Sequence, residues 1–393
     1  MPAQPPTVAL AHCPDYSPAQ VQRAVADLFT GLGGLERFVR PGARVFCKVN
    51  LLIPARPEQA ITTHPEVVRA VVREVKRVGG VPVVGDNPAL AVQGAALRLS
   101  GIAAVLAEEG VATASLGPTT HLAYPEGAVF KSFALSQAIL DCDVLLNLPK
   151  LKTHALVGMT LAMKNLFGLV PGLEKARWHF RAQTAASFAM LLADLYGAVQ
   201  GHFQAPGRAL LHLCDGILAL EGDGPSTGGR PKPLGVLLAS ADGVALDRTV
   251  CQVIGLDPAR LPALAEGVRR GLGEGDLTRL ELTGEPLDRW AGTTFLPATG
   301  GAPSNSLMLG VTRSRLLRDW LVDRPVIDLT RCTTCGRCSE ICPAQTIVRR
   351  GTLRLPWIGL RACIRCYCCA EVCPAGAIRK SRQPLLGRLV GAG

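Results

Sequence analysis

This chain of 393 residues has no run of about 18 apolar residues free of charge, so no membrane span is expected. Its first residues, Met1-Pro-Ala-Gln-Pro-Pro6, lack a basic stretch followed by an apolar one, so no secretory signal is expected. Aromatic residues make up only 5 % and no nucleic-acid-binding motif is present, which argues against nucleic acid as a partner despite a net charge of +11. No G-x-G-x-x-G or P-loop pattern follows an apolar strand, so a bound nucleotide is not indicated. Carboxylates and histidines occur without a tight spacing such as H-x3-H, so nothing specifies a single divalent ion. Cys13, Cys47, Cys142, Cys214 and Cys251 sit singly in apolar segments and read as reduced core thiols rather than disulfide partners. These absences describe a cytoplasmic protein.

What the chain does have is concentrated near its end. Cys332-Thr-Thr-Cys335-Gly-Arg-Cys338-Ser-Glu-Ile-Cys342-Pro is echoed by Cys363-Ile-Arg-Cys366-Tyr-Cys-Cys369-Ala-Glu-Val-Cys373-Pro. Both fit C-x2-C-x2-C-x3-C-P, the spacing of bacterial two-cluster ferredoxins, in which the fourth cysteine of each run ligates the other cluster. Two [4Fe–4S] clusters are therefore expected, one on Cys332, Cys335, Cys338 and Cys373, the other on Cys363, Cys366, Cys369 and Cys342. Zinc would use two C-x2-C pairs instead. Cys368 falls out of register and reads as a free thiol beside a cluster. The repeat continues past the ligands as C-P-A-Q-T-I and C-P-A-G-A-I.

Charge follows the same division. From Thr312 onward there are 15 Arg and Lys against 5 Asp and Glu, while the rest of the chain is nearly neutral. Arg331, Arg337, Arg361 and Arg365 flank ligands, where they offset the negative charge of thiolate-bound clusters. The remaining excess would steer an acidic electron donor such as ferredoxin or flavodoxin.

Before residue 300, apolar strand-like segments alternate with helical ones, which implies an α/β fold with a mainly parallel sheet. Strands are expected at 7–12, 44–50, 81–86, 111–115, 143–147, 208–213 and 235–239. Helices are expected at 18–30, from a Thr63/Glu66 capping box to about 78, near 92–109, at 154–167 and at 181–200, with another capped by Asp242 and running to about 254. Polar residues gather where strands end: Lys48 and Asn50, Asp86, Asn147, Lys150 and Lys152, Asp215 and Asp242. In open α/β sheets ligands bind beyond the carboxyl ends of strands. Asp and Asn also serve as turn formers and caps, whereas lysine has no special turn chemistry.

The stretches Asn147-Leu-Pro-Lys-Leu-Lys-Thr-His154 and Met163-Lys-Asn-Leu-Phe-Gly168, with Lys48-Val-Asn50, Thr62-Thr-His-Pro65, Gly85-Asp-Asn87, Trp178-His179, Asp215-Gly-Ile217, Glu221-Gly-Asp-Gly-Pro225 and Asp242-Gly-Val-Ala-Leu-Asp247, resemble the iron–sulfur-centre family called domain of unknown function 362. The resemblance spans roughly residues 7–290 and implies an α/β fold with redox company but no settled reaction. The expected organisation is an α/β domain at 1–300, a linker and helix at 301–324, an α+β ferredoxin-like two-cluster domain at 325–380, and a basic tail at 381–393.

The candidate site combines Lys48, Asn50, Asp86, Asn147, Lys150, Lys164, Asn165, Asp215 and Glu221 as a donor-rich crevice for a small anionic substrate, with His154 or Lys152 supplying protons. Lys150 and Lys152 flank Leu151, so in an extended segment both point to one side and would share an anion. The loop from Glu221 to Gly229 reads as flexible, either closing over a ligand or serving as a disordered connector. His179 is placed either in the crevice or at the surface. The expected function is an iron–sulfur oxidoreductase; the alternative is an electron carrier or adaptor that docks on a partner enzyme.

Overall fold

The computed structural model describes residues 5–298 and 324–380, apart from positions 89, 91, 115, 173 and 352–354. The expected linker and helix at 301–324 therefore lie outside the described residues except for Arg324, and the basic tail lies outside them entirely.

The chain begins with strand β1 (Thr7–His12) and helix α1 (Pro18–Gly31). Pro18 opens that helix, and Val21, Ala24, Val25 and Leu28 form one buried stripe along it. Next come β2 (Arg44–Lys48), α2 (Pro65–Arg77) and β3 (Val81–Gly85). The single helix expected near 92–109 is two, α3 (Gln93–Leu99) and α4 (Ile102–Glu108), because Gly101 adopts a left-handed conformation at φ 78° between them. Then follow β4 (Ala112–Thr113), the hairpin β5 (Thr119–Ala123) and β6 (Ser132–Ser136), α5 (Gln137–Leu140) and β7 (Val144–Asn147). The segment 154–167, expected to be helical, is mostly not: β8 (Lys150–His154) turns back through Gly158 at φ 83° into β9 (Gly158–Thr160) before the short α6 (Ala162–Asn165).

Helices α7 (Glu174–Arg181) and α8 (Ala185–Phe203) lead to two long strands, β10 (Ala209–Gly222) and β11 (Gly229–Ser240). Asp242 caps α9 (Gly243–Val253) by accepting from the amides of Val244 and Ala245. Helix α10 (Pro262–Arg269) and β12 (Glu281–Gly284) complete the domain.

One ten-stranded sheet carries this domain, with strand order β12-β1-β11-β10-β7-β2-β3-β4 and the β8–β9 hairpin attached to β10. Strands β10, β7, β2, β3 and β4 run parallel, and β11 is antiparallel to both of its neighbours. Two apolar cores pack against the sheet, one containing Phe46, Leu145 and α8, the other Val45, Leu146 and the inward stripes of α1 and α2. Strand β2 has β3 on one side and the later β7 on the other. The chain leaves β2 towards β3 and leaves the adjacent β7 towards β10, so the connections diverge between these strands and a crevice opens at their carboxyl ends. Lys48 is the last residue of that strand.

The C-terminal module is a duplicated α+β unit. Strand β13 (Pro325–Ile327) pairs with β16 (Ile378–Lys380), and β14 (Ile347–Arg350) pairs with β15 (Leu355–Ile358), both antiparallel. Helices α11 (Arg337–Ile341) and α12 (Cys368–Glu371) occupy equivalent places in the two halves. The module seats on the sheet domain through an apolar cluster in which Ile53, Ala55, Ile61 and Leu220 meet Ile341, Cys368 and Val372. Among the described residues no helix is long and apolar enough to cross a membrane.

Candidate functional site

A cleft enclosing about 690 Å³ of empty space, part of it open to solvent, lies beyond the carboxyl ends of β2 and β3. Its walls come from both parts of the chain: Lys48, Asn50, Asp86, Lys152, His154, Thr160, Lys164, Asn165, Lys175 and His179 from the sheet domain, and Ile341, Cys368, Glu371 and Val372 from the module.

Each cation is placed by a distinct device. Lys48, 1 % exposed, sits 2.6 Å from Asp86 and donates to the carbonyl of Val49 at 2.8 Å. Asp86 is fixed in turn by the amides of Leu51 and Asn87. Burial alone would raise its carboxyl, but Lys48 and Lys175 hold it below the usual range. Gly168 closes over this pair so tightly that a Cβ there would stand 2.4 Å from both Lys48 Nζ and Asp86 Oδ1.

Lys152 donates to Asn50 Oδ1 and to the Ile61 carbonyl, each at 2.6 Å. A chain of amides running in one direction anchors it: Asn50 Nδ2 donates to Asn165 Oδ1, Asn165 Nδ2 to Asn147 Oδ1, and Asn147 Nδ2 to the Ala162 carbonyl and His212 Nδ1. Two of the three N–H donors of Lys152 are thus used, leaving one for the cleft. Burial, with the nearby Lys164 ammonium, pushes Lys152 down to about 7.

Lys164 and Asn165 ride on α6, whose first amides, Ala162 N and Met163 N, bond to the carboxylate of Asp247. Lys164 lies over the ring of Phe167 at 5.1 Å. Lys175 and His179 lie one turn apart on α7 and so share a face. Burial pushes Lys175 down to about 7 and His179 to about 3. His179 stacks on Phe188, and its Nδ1 has no hydrogen-bond partner; neither has Thr160 Oγ1 on the same cleft.

Across the junction, His154 Nε2 lies 3.2 Å from Glu371 Oε1. His154 Nδ1 accepts from the amide of Leu156, so its proton belongs on Nε2, yet the approach to Glu371 Oε1 lacks hydrogen-bond geometry and that oxygen has no hydrogen-bond partner.

The cleft therefore gathers seven of the residues expected there: Lys48, Asn50, Asp86, Lys152, His154, Lys164 and Asn165. Four others stand elsewhere. Asn147 lies behind the wall in the amide chain. Lys150, with its ammonium 2.8 Å from Asp215 Oδ2 and 2.7 Å from Tyr16 Oη, belongs to a closed network in which Tyr16 also bonds Asp215. The Asp215 carboxylate neutralises Lys150, so Lys150 and Lys152 form no joint anion clamp. Glu221 is tied to Arg230 and to the amide of Leu296.

The loop that follows Glu221 is a docking loop rather than a flexible one. Ser226 Oγ donates to the Ala370 carbonyl, Thr227 Oγ1 to that of Cys373, and Gly224 N to Thr153 Oγ1. Lys175, Thr160 and the module residues escaped the sequence reading; the i, i+4 spacing of Lys175 and His179 was the available signal for the first.

The cysteines of the module line two further cavities. One is bordered by Cys332, Cys335, Cys338 and Cys373 together with Arg337 and Arg349, the other by Cys342, Cys363, Cys366 and Cys369. In each, three cysteines come from one half of the repeat and one from the other. Cys363, Cys366 and Cys369 are buried, whereas Cys335 is exposed. The buried set abuts the cleft: Cys368, between two members of that set, and Ile341, next to Cys342, face it.

An α/β domain with a cation-lined cleft closed by a ferredoxin-like module defines the class of protein. Residues 45–252 match the family described as Domain of unknown function (DUF362), and residues 324–374 match the 4Fe-4S dicluster domain. The chain belongs to the DUF362 family. A thylakoid-associated protein of Synechocystis sp. is 37 % identical over 278 residues, covering 70 % of this chain and 82 % of that protein. Superposition on the crystal structure of a Thermotoga maritima protein covers 59 % of this chain and 57 % of the other at 10 % identity and a TM-score of 0.35, below the level of a shared fold.

Proposed function

We propose that this chain is an iron–sulfur oxidoreductase acting on a small anion held in the cleft. In this reading Cys332, Cys335, Cys338 and Cys373 hold one [4Fe–4S] cluster, and Cys363, Cys366, Cys369 and Cys342 the other; both supply one-electron transfer. The observation that carries the reading is that α12 serves two places at once. Its Cys369 borders the buried cysteine cavity, while Cys368 and Glu371 on the same turn border the cationic cleft. A ligand in that cleft lies against the module.

The chain's own residues have separable tasks. Lys48 is neutralised by Asp86 and shapes the floor. Lys152, held at about 7 by burial, keeps one N–H free and is the better proton source. His154, its Nε2 at 3.2 Å from Glu371 Oε1, stands at the junction. The exposed Arg331 and Arg349 near the first cysteine set suit an acidic donor such as ferredoxin or flavodoxin, and the solitary reduced thiols of the sheet domain suit the cytoplasm.

Anaerobically purified protein should contain about eight iron and eight sulfide per chain. Lys152→Met should leave that content unchanged while weakening anion binding and turnover by about tenfold or more, the effect of one charge-assisted hydrogen bond. Unchanged binding and turnover in that variant would remove Lys152 from the site, no anion binding or turnover by the wild type would leave the chain an electron carrier, and an iron content near half the expected value would remove one of the two ligand sets.

A further inference from the structure

The cleft carries more positive charge than its own carboxylates can offset. Lys48, Lys152, Lys164 and Lys175 face only Asp86 and Glu371. Lys48 is spoken for by Asp86, and Lys152 is anchored by neutral oxygens. Lys164 lies over the faces of Phe167 and Phe188, and among the described residues neither it nor the almost fully buried Lys175 has a hydrogen-bond acceptor. Beside them stand the two neutral polar atoms without partners already noted, His179 Nδ1 and Thr160 Oγ1, both on side chains more than nine-tenths buried. Buried polar atoms are almost always paired, and these two share the cleft with the Lys164 and Lys175 ammonium groups, which open into it; against them stands one unpartnered acceptor, Glu371 Oε1, so the balance of the wall calls for a ligand rich in acceptor oxygens.

From this we propose that the ligand of the cleft is a dianion, its two charges set against Lys164 and Lys175 and its oxygens accepting also from Thr160 and His179. The proposal rests on the reading of the cleft as an anion site and narrows it. A single carboxylate offers one charge and two oxygens, which leaves one ammonium group buried and unmatched. A phosphoryl monoester, or two carboxylates on one small molecule, supplies both charges. Half-buried Asn87, Lys164 and Ala176 mark the rim through which such a ligand enters.

The test is calorimetric titration of the anaerobically purified full chain with sulfate and methyl phosphate as compact dianions, succinate as an extended one, and acetate and nitrate as monoanions. At least one dianion should bind tenfold or more tighter than either monoanion. Lys164→Gln and Lys175→Gln should each remove most of that preference without changing iron content. Because neither ammonium makes a hydrogen bond to a described residue, both variants should unfold close to or above the wild-type temperature, so lost binding is not lost folding. A preference for sulfate and methyl phosphate identifies a tetrahedral head group; a preference for succinate identifies two separate carboxylates. Equal binding of monoanions and dianions would overturn the proposal and leave the anion site standing. Binding of none of the five would overturn both.

Discussion

Gly168→Ala is the most exacting perturbation of the cleft, because it adds one methyl group at the point of closest packing. The added Cβ would lie 2.4 Å from Lys48 Nζ and Asp86 Oδ1 and 2.6 Å from Lys48 Cε. Retreat is blocked. The ammonium is held by Asp86 at 2.6 Å and by the Val49 carbonyl at 2.8 Å, and the side chain is 1 % exposed. Overpacking a rigid site costs about 1–3 kcal/mol. Prising apart a buried ion pair costs about 3–5 kcal/mol, and here the pair is displaced rather than deleted. A loss of about 2–4 kcal/mol is expected, which for a domain of this size lowers the melting temperature by roughly 5–15 °C. Gly201→Ala is the matched control. That glycine lies in α8, is exposed, and a Cβ there meets nothing within 4 Å. Replacing it should stabilise the helix by about 0.5–1 kcal/mol. Thermal unfolding of the two variants and the wild type, with sulfate affinity measured on each, gives the answer. If Gly168→Ala melts with the wild type and binds sulfate equally well, the contact between Gly168 and the Lys48–Asp86 pair is not as close as the geometry makes it.

Lys175 makes stability depend on pH in a definite direction. Its folded-state value of about 7 lies below the ordinary 10.5, and Asp86, Lys48, Lys164 and Glu371 face it. At high pH it is neutral in both states. As pH falls from about 10 to about 7 only the unfolded chain gains the proton, so stability is lost across that window and levels off below it. Lys175→Met should therefore gain on the wild type in urea unfolding as pH drops from 10 to 7; a constant difference across the range would show that the lysine is not desolvated. At the junction, Ser226→Ala with Thr227→Ala removes two hydrogen bonds to module carbonyls, worth about 1 kcal/mol each. Amide exchange in residues 368–380 should quicken while the sheet strands keep their protection, and unchanged exchange there would mean that the loop does not hold the module.

Much of the framework was legible because it follows from local pattern. Strand ends, the double cysteine run and the Asp242 cap each carry their signal within a few residues. What was hidden depended on partners distant in sequence. Thr63 fits a capping box, but its hydroxyl is engaged by Asn50 N and Leu148 O, and His64 Nδ1 caps α2 instead. Lys150 reads like Lys152 from its neighbours; only the fold reveals that Asp215, 65 residues on, claims it. The segment 154–167 has apolar residues dense enough for a helix, yet Gly158 in the left-handed region turns it into a hairpin, which brings Thr160 to the cleft. Glycine-rich composition from 222 to 229 suggested mobility, but the two hydroxyls in that loop face carbonyls of the module.

The two halves of the cysteine repeat have been put to unlike uses. In the first, the three-residue spacer before the last cysteine is Ser339-Glu340-Ile341: Ser339 bonds within its own half to the Ile347 carbonyl, Glu340 faces solvent, and Ile341 reaches the sheet domain through the apolar junction. In the second it is Ala370-Glu371-Val372, and every member is engaged by the sheet domain: Ala370 through Ser226, Glu371 through His154, and Val372 through the apolar junction. One copy meets the sheet domain through one residue of this spacer, the other through all three. Residues 370–372 are held by two demands at once, the ligand spacing of the cysteines and the fit to a foreign surface. An insertion there cannot be absorbed locally, whereas position 340 is open to substitution. The chain's two parts are in that sense a single inheritance unit, and exchanging the module for another of identical cysteine spacing would keep the clusters and lose a wall of the cleft.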